Sequence, residues 1–475
     1  MIILELMRKL GLLTVFLILT TRTFAQSPQP IKGPDERYKV DILVVVAHPD
    51  DEGAATPYLA RAIYDLHKTV GVVFGTRGGS GGNDYRREHG PAMADVREIE
   101  ARQACAKLGI EKVWFLGGKD TASQNVLNSL ANWGHGESLE ELVRIVRLTR
   151  PEIIITWLPS IFIGENHGDH QAAGVLATEA FDSAADPVVF PAQLAGASRR
   201  LEPFLENLTP WQPKKIYYFS DARDSKRFAG TGPAYSVKEI SPSQKKPYYR
   251  LAIDAALPHL TQFPEDIQRM SKLSDADLEK LMSDPHTSWW NEPDTLIFGK
   301  SVNPGPTAVA GDVFGGIVTG EAIAGEPSRR QLTSILPAPD GPQLYLGGPW
   351  LFYKEFRQAH WLLGLPQPAM PEIAVKSGSL LYVPLVVLHK GKIPEEVTLK
   401  VSAPEGWKVT SGEGRLLLPG EPETALRVEI QTPELSADAL KTAQPQTVSV
   451  KLIVDGKEYG LVQLNVLLGH SGLPQ

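Results

Sequence analysis

The hydrophobic pattern changes character twice along the chain. Residues 40–47 (VDILVVVA) form a nearly unbroken, valine-rich run, which predicts a strand buried on both faces of a sheet. Residues 56–66 then place Leu59, Ile63 and Leu66 at helical spacing, and 70–75 predict a second strand. Residues 92–108 predict a long amphipathic helix, with Ile99 and Ala106 facing inward and Gly109 as its stop. A third strand is expected over 112–116 and a helix over 138–149 with Leu139, Leu142, Ile145 and Val146 on one side. A fourth buried strand follows over 152–158 (EIIITWL), then a helix over 168–181. Strand alternating with helix is the pattern of an α/β domain, a mostly parallel sheet with helices on both faces. Such sheets hold their ligands beyond the carboxyl ends of the strands.

Between about 183 and 367 the pattern loses its regularity. Only a strand over 214–219 (KKIYYF) and a helix over 275–282 stand out among prolines, glycines and aromatics. From about 371 to 468 helical spacing disappears. Short strand-like runs over 380–388, 397–401, 415–418, 426–430, 448–454 and 461–468 alternate with turn signals such as Asp455-Gly456, which predicts an all-β sandwich. The expected division is an α/β domain over 38–220, a continuation or insertion over 221–370 that shapes a cleft, and the sandwich over 371–470.

The beginning of the chain has a different character. Arg8 and Lys9 precede an apolar run over 10–19, and Thr23-Phe24-Ala25 offers small residues for cleavage after Ala25. Residues 1–25 thus predict an export signal, 26–37 a linker, and a mature chain in the periplasm or outside the cell. The apolar run is short for a membrane span, so none is expected in the mature chain. A formal net charge of −7 over 475 residues argues against nucleic-acid binding, which needs a basic surface. The single cysteine, Cys105, forms no internal disulfide and is expected to be a small buried packing group.

Two clusters carry candidate chemistry. His48-Pro49-Asp50-Asp51-Glu52 follows the first strand, and His167-Gly168-Asp169-His170 follows the fourth. Either alone reads as a helix cap with polar neighbours. Together, at equivalent strand ends of a chain with 11 histidines, they suggest one site. His48, Asp51 and His170 offer two nitrogens and one oxygen, a donor set that suits catalytic Zn2+, with ferrous iron as the other fit. Asp50 is placed to take a proton from a metal-activated water. His167 is placed to assist an oxyanion or a leaving amine, and Asp169 to orient the His167 ring.

The context VVVAHPDDE, with the later NHGDH, resembles the PIG-L/LmbE family of N-acetylglucosaminyl deacetylases over about 40–180. The resemblance implies a Rossmann-like domain, one zinc ion and removal of acetate from N-acetylated sugars or their conjugates. It implies His48, Asp51 and His170 as metal ligands, Asp50 as general base and His167 as the electrostatic or acid histidine. The family's substrate-facing turn is matched only loosely by residues 75–79 (GTRGG), where Arg77 is the candidate substrate contact. The glycines of 78–82 lack the G-x-G-x-x-G spacing of a nucleotide loop and suggest a flexible lid. His135 is expected to be a solvated loop histidine, and Trp289 and Trp290 to be core rather than sugar platforms. Residues 403–407 (APEGW) resemble immunoglobulin-like modules attached to bacterial carbohydrate enzymes. The expected function is zinc-dependent deacetylation of an amino sugar or glycoconjugate. The alternatives are the same metal chemistry on a non-sugar amide or thiol conjugate, and a non-catalytic glycan-binding protein.

Overall fold

Ile42–Val46 (β1) is buried along its whole length and lies inside a six-stranded sheet. Each fully buried leucine, isoleucine or valine here stabilises the fold by about 1.5–3 kcal/mol, so this run fixes the centre of the sheet. The computed structural model describes residues 33–85, 87–161, 167–194, 206–220, 231–263, 265–284, 293–302, 312–317, 341–389 and 395–469. The expected signal over 1–25 and the Trp289-Trp290 pair lie outside these residues.

The other strands of the sheet are β2 (Val70–Thr76), β3 (Lys112–Gly118), β4 (Ile153–Trp157), β5 (Lys215–Phe219) and β6 (Ile297–Ser301), in the order β3-β2-β1-β4-β5-β6. All neighbours are parallel except β6, which runs antiparallel to β5. The order reverses between β1 and β4. Their adjacent carboxyl ends leave a crevice at that switch point, where doubly wound sheets bind ligands.

Helices α1 (Thr56–Tyr64), α2 (Pro91–Lys107), α3 (Val126–Trp133), α4 (His135–Thr149) and α5 (Gly168–Ser183) connect and cover the first strands. In α2 the inward stripe differs from expectation. Ile99 is 57% exposed and Ala106 is also exposed, while Met93, Arg97, Glu100, Ala101, Ala104 and Cys105 are buried. Buried partners for Arg97 and Glu100 outweigh the apolar preference of one isoleucine. His135 opens α4 rather than lying in a loop, and it pairs with Glu179 at 2.6 Å.

The irregular middle region contributes α6 (Tyr248–Ala256), α7 (Asp266–Lys272) and α8 (Asp275–Met282), which share a small core of Ile253, Ile267, Met270, Leu278 and Met282. This unit is fastened to the end of α1, because Asp65 accepts hydrogen bonds from Ser241 and Tyr248 and Arg61 pairs with Glu239.

Beyond it, β7 (Gln343–Leu346) and α9 (Pro349–Ala359) lead into β8 (Glu372–Lys376), β9 (Leu380–Leu388), β10 (Glu395–Ser402), β11 (Lys408–Ser411), β12 (Gly414–Leu418), β13 (Glu423–Gln431), β14 (Gln446–Val454) and β15 (Lys457–Gly469). They form two sheets, β8-β15-β14-β10-β12 and β11-β13-β9-β7. Leu381 and Val383 of one sheet and Val397, Leu399 and Val450 of the other close a second core, so the carboxyl-terminal part is an all-β sandwich. Its strand β7 comes from upstream of residue 371. Contacts from α9 and its end tie this part to α5: Tyr353 donates to Gln171 at 2.9 Å, and His360 meets Asp182 at 2.7 Å.

Candidate metal centre

β1 ends at Val46, and the chain turns immediately through Ala47 and His48 into a short 3-10 segment, Asp51–Ala55. Asp51 is the hub of that turn. Its Oδ2 accepts the N–H groups of Ala47 and His48 and the indole N–H of Trp157 at the end of β4, each at 2.9 Å. Its Oδ1 faces His170 Nε2 at 3.2 Å. The carboxylate is therefore locked by one oxygen and presented by the other. Burial opposes its charge, but His170 and His48 hold its pKa well below the ordinary value.

The second cluster arrives on α5. Gly168 permits this approach, since a Cβ there would lie 2.5 Å from Ser129 Oγ and 2.7 Å from the Ser123 carbonyl. His170 stacks on Trp157 with ring centroids 4.0 Å apart and planes 7° from parallel. His167 caps the helix, its Nδ1 accepting the Asp169 N–H at 3.4 Å. A neutral ring with Nδ1 accepting carries its proton on Nε2. Burial, with the neighbouring His170 and His48, pushes its pKa well down and keeps it neutral. Its centroid lies 4.1 Å from that of His170 and 5.0 Å from that of His48.

His48 presents both nitrogens to carboxylates. Nδ1 lies 3.5 Å from Asp51, and Nε2 lies 3.2 Å from Asp120 and 3.4 Å from Asp169. Burial disfavours charge on this ring, but Asp51, Asp120 and Asp169 outweigh it and hold its pKa well above the ordinary value. The expectation that the Asp169 carboxylate would orient His167 is not met. That carboxylate turns to His48 and the Thr121 N–H (2.8 Å), and only the main chain of Asp169 meets His167. The Thr121 N–H and the His48 ring both lie within reach of that carboxylate and hold it.

Nitrogen atoms of His48, His167 and His170 lie within 4.8 Å of one another, so the three rings converge on one small volume. His170 Nδ1 is buried without a hydrogen-bond partner in the protein. The donor set of imidazoles with the presented Asp51 oxygen fits a divalent cation of the zinc type.

Asp50 stands beside this group with φ of 109°, a left-handed conformation that costs a non-glycine residue about 1–3 kcal/mol. Its N–H donates to Glu52 Oε2 at 3.0 Å, and its carboxylate accepts from Arg97 at 3.0 Å. Burial raises its pKa to about 6 against the opposing pull of Arg97. Glu52 also meets His259 at 2.6 Å, and both are buried.

Arg77, the expected substrate contact, does not reach this site. It lies along α2, paired with Asp95 and, at 2.7 Å, with Glu98. Two carboxylates one helical turn apart hold it there. Arg97 takes the position near the reaction centre, donating to the Pro49 and Gly78 carbonyls as well as Asp50. The 78–82 loop is tethered rather than a free lid, since the N–H and hydroxyl of Ser80 both donate to Asp120, at 2.7 and 2.9 Å. A cavity of about 670 Å³ includes His48, Asp50, Asp120, His167, His170 and His259 in its wall.

Asp120, Arg97 and His259 are the additions to the residues named from sequence. Asp120 follows β3 at a carboxyl strand end, so the rule that located the two histidine clusters also covers it. Arg97 is signalled by a charge on the stripe that α2 buries. His259 has no local signal.

Residues 43–181 match the family model described as PIG-L: GlcNAc-PI de-N-acetylase. The chain carries a PIG-L family domain. A 1D-myo-inositol 2-acetamido-2-deoxy-alpha-D-glucopyranoside deacetylase of Frankia alni is 32% identical over 188 residues, covering 36% of this chain and 59% of that protein. The enzyme of the same name from Thermobifida fusca is 31% identical over 203 residues, covering 38% of this chain and 62% of its own length. The chain thus spans about three fifths of these two relatives. The solved N,N'-diacetylchitobiose deacetylase of Pyrococcus horikoshii is 18% identical, covering 55% of this chain and 84% of its own, with a TM-score of 0.37, too low to carry an argument. The PIG-L domain contains both histidine clusters, Asp120 and Arg97. His259 lies outside it.

Proposed function

We propose that this chain is a zinc-dependent N-deacetylase that releases acetate from an N-acetylated amino sugar or its conjugate. One observation carries the proposal: Asp51 faces both imidazoles, its Oδ1 3.2 Å from His170 Nε2 and its Oδ2 3.5 Å from His48 Nδ1. His48, Asp51 and His170 would hold the ion. Bound zinc lowers the pKa of a water to about 7 and polarises an amide carbonyl.

The remaining work falls to the chain's own groups. Asp50, with a pKa of about 6, is ionised at neutral pH and takes the proton of the attacking water. Arg97 fixes that carboxylate from one side. His167, neutral and protonated on Nε2, donates a hydrogen bond toward the carbonyl oxygen as it gains charge, and the proton that Asp50 took from water passes to the leaving nitrogen. The C–O bond forms first, and the C–N bond breaks once the nitrogen is protonated, giving acetate and the free amine. The amino-sugar assignment is supported by the substrates named for the two relatives of the PIG-L domain.

Export is part of the proposal, supported by the signal-like pattern of residues 1–25. Among the described residues no helix is long and apolar enough to cross a membrane.

The test is metal analysis of purified protein, combined with a mass-spectrometric screen for acetyl loss across N-acetylglucosamine, its inositol conjugate and N-acetylated chitooligosaccharides. The expected result is stoichiometric zinc and deacetylated product. Product from thiol conjugates or other amides alone would reassign the substrate. Retention of glycans without any product would replace the enzyme with a binding protein.

A further inference from the structure

The general base is held in an unfavourable backbone conformation, and its N–H is satisfied by the side chain two residues on. Glu52 bends back so that Oε2 accepts the Asp50 N–H at 3.0 Å. Its other oxygen, Oε1, lies 2.6 Å from Nε2 of His259. Glu52 is 4% exposed and His259 is 3% exposed, so water does not substitute freely for either contact. Leaving a buried carboxylate oxygen unpaired is costly, so each of these contacts helps to set the Glu52 rotamer.

His259 is itself held in place. It lies just past α6, and two residues later Thr261 donates its N–H (3.2 Å) and its hydroxyl (2.6 Å) to the buried Glu100 of α2. That helix also carries Arg97, which grips the Asp50 carboxylate. One helix therefore fixes both ends of the arrangement: Arg97 acts on the Asp50 side chain directly, and Glu100 acts on its backbone through Thr261, His259 and Glu52.

We propose that His259, which lies outside the matched family domain, is a positioning residue for Asp50, acting through Glu52 to lock the left-handed turn that aims the base. This inference rests on Asp50 serving as the base of the proposed deacetylase. Without the His259 N–H, Glu52 loses the contact that sets its rotamer. The Asp50 N–H then loses its acceptor, and the turn relaxes toward right-handed backbone. Asp51 keeps its own hydrogen bonds from the Ala47 and His48 N–H groups and from Trp157, so metal binding survives while the base is misaimed.

The test uses the full-length, zinc-loaded chain and two variants. His259→Phe keeps ring volume and removes both nitrogens, and His259→Gln keeps one donor. Hydrogen exchange read by mass spectrometry on a peptide over 47–55 needs no substrate. Exchange there should rise about tenfold in His259→Phe, stay unchanged over α5, and return most of the way in His259→Gln. With an N-acetylated substrate of the enzyme in hand, kcat should fall about tenfold in His259→Phe with KM within twofold, and His259→Gln should recover it in part.

Unchanged exchange over 47–55 in His259→Phe overturns the proposal. So does loosening spread evenly over the sheet and helices, which would make His259 ordinary core. If neither variant folds, Glu100→Gln, which weakens the Thr261 anchor from a distance, must raise exchange over 47–55 or the proposal fails. A wild-type protein that shows the exchange pattern but releases no acetate would sink the deacetylase function and leave the lock standing. An active enzyme indifferent to His259 would do the reverse.

Discussion

Asp120 Oδ1 lies 3.2 Å from Nε2 of His48, so the first imidazole of the candidate metal centre is oriented by a carboxylate from the end of a different strand. Asp169 approaches the same nitrogen at 3.4 Å. With Nε2 engaged, Nδ1 is the nitrogen turned toward Asp51 and the metal position. Carboxylates behind a ligating histidine fix its tautomer and raise its basicity.

Asp120→Ala should therefore weaken zinc binding by about 10–100-fold, the usual effect of removing such a partner. A competition titration against a zinc chelator measures it. Unchanged affinity would mean that Asp169 orients the ring alone.

Asp50→Asn should retain zinc and lose turnover by about 10²–10⁴-fold, the range for a general base. His170→Ala should lose both metal and activity. Metal content and initial rates on the same preparation separate the two cases, and full activity in either variant removes the mechanism.

The two arginines make opposite predictions. Arg77→Ala breaks only exposed pairs with Asp95 and Glu98, worth about 0–1 kcal/mol, and should leave kcat/KM within about twofold. Arg97→Met removes the partner of the Asp50 carboxylate and should lower kcat by about tenfold or more. Equal losses in the two variants would restore Arg77 as a substrate contact.

Asp294 accepts the Tyr58 N–H in the first turn of α1 at 2.8 Å, and burial raises its pKa to about 7. An acid with a raised folded pKa binds its proton more tightly in the folded chain. Its stabilising effect is complete below the ordinary value of 3.8 and is lost as pH rises through about 7. Asp294→Asn keeps an oxygen for Tyr58 and removes the titration. Its Tm should exceed wild type by about 2–4 °C at pH 8 and converge with it only toward pH 4, as thermal scans would show. A pH-independent difference would contradict this.

His135 gives the opposite kind of group. Its hydrogen bond with Glu179 raises its pKa against partial burial. The resulting stability is complete below the unfolded value of about 6.5 and disappears as pH rises through the raised folded value. The Tm advantage of wild type over His135→Gln should be present at pH 6 and shrink as pH rises through the raised folded value. The ring is 40% exposed, so the advantage is small.

Several misplacements have one physical origin. Ile99 and Ala106 were expected to face inward on α2 because apolar side chains usually do, yet the buried stripe runs through Arg97 and Glu100. A buried charge is tolerated when its partners are in place, and those partners come from remote loops: Pro49, Asp50 and Gly78 for Arg97, Thr261 for Glu100. Nothing local in α2 reveals them. Arg77 fails for the complementary reason. Its glycine-rich setting suggested a substrate loop, but Asp95 and Glu98 on the neighbouring helix capture it.

What the sequence by itself determined was the sheet and the address of the site. Short, mostly apolar and β-branched runs such as 42–46 and 153–157 predict central strands, because burial on both faces leaves little room for polar side chains. Polar clusters directly after two such strands must lie at their carboxyl ends. Tertiary structure alone decided which side chain serves which partner. It turned Asp169 to His48, brought Asp120 and Arg97 into the centre, and set His259 behind Glu52. Those choices are made by distances of about 3 Å between residues far apart in the chain, where hydrogen-bond strength falls off within a fraction of an ångström and residue type alone carries no such information.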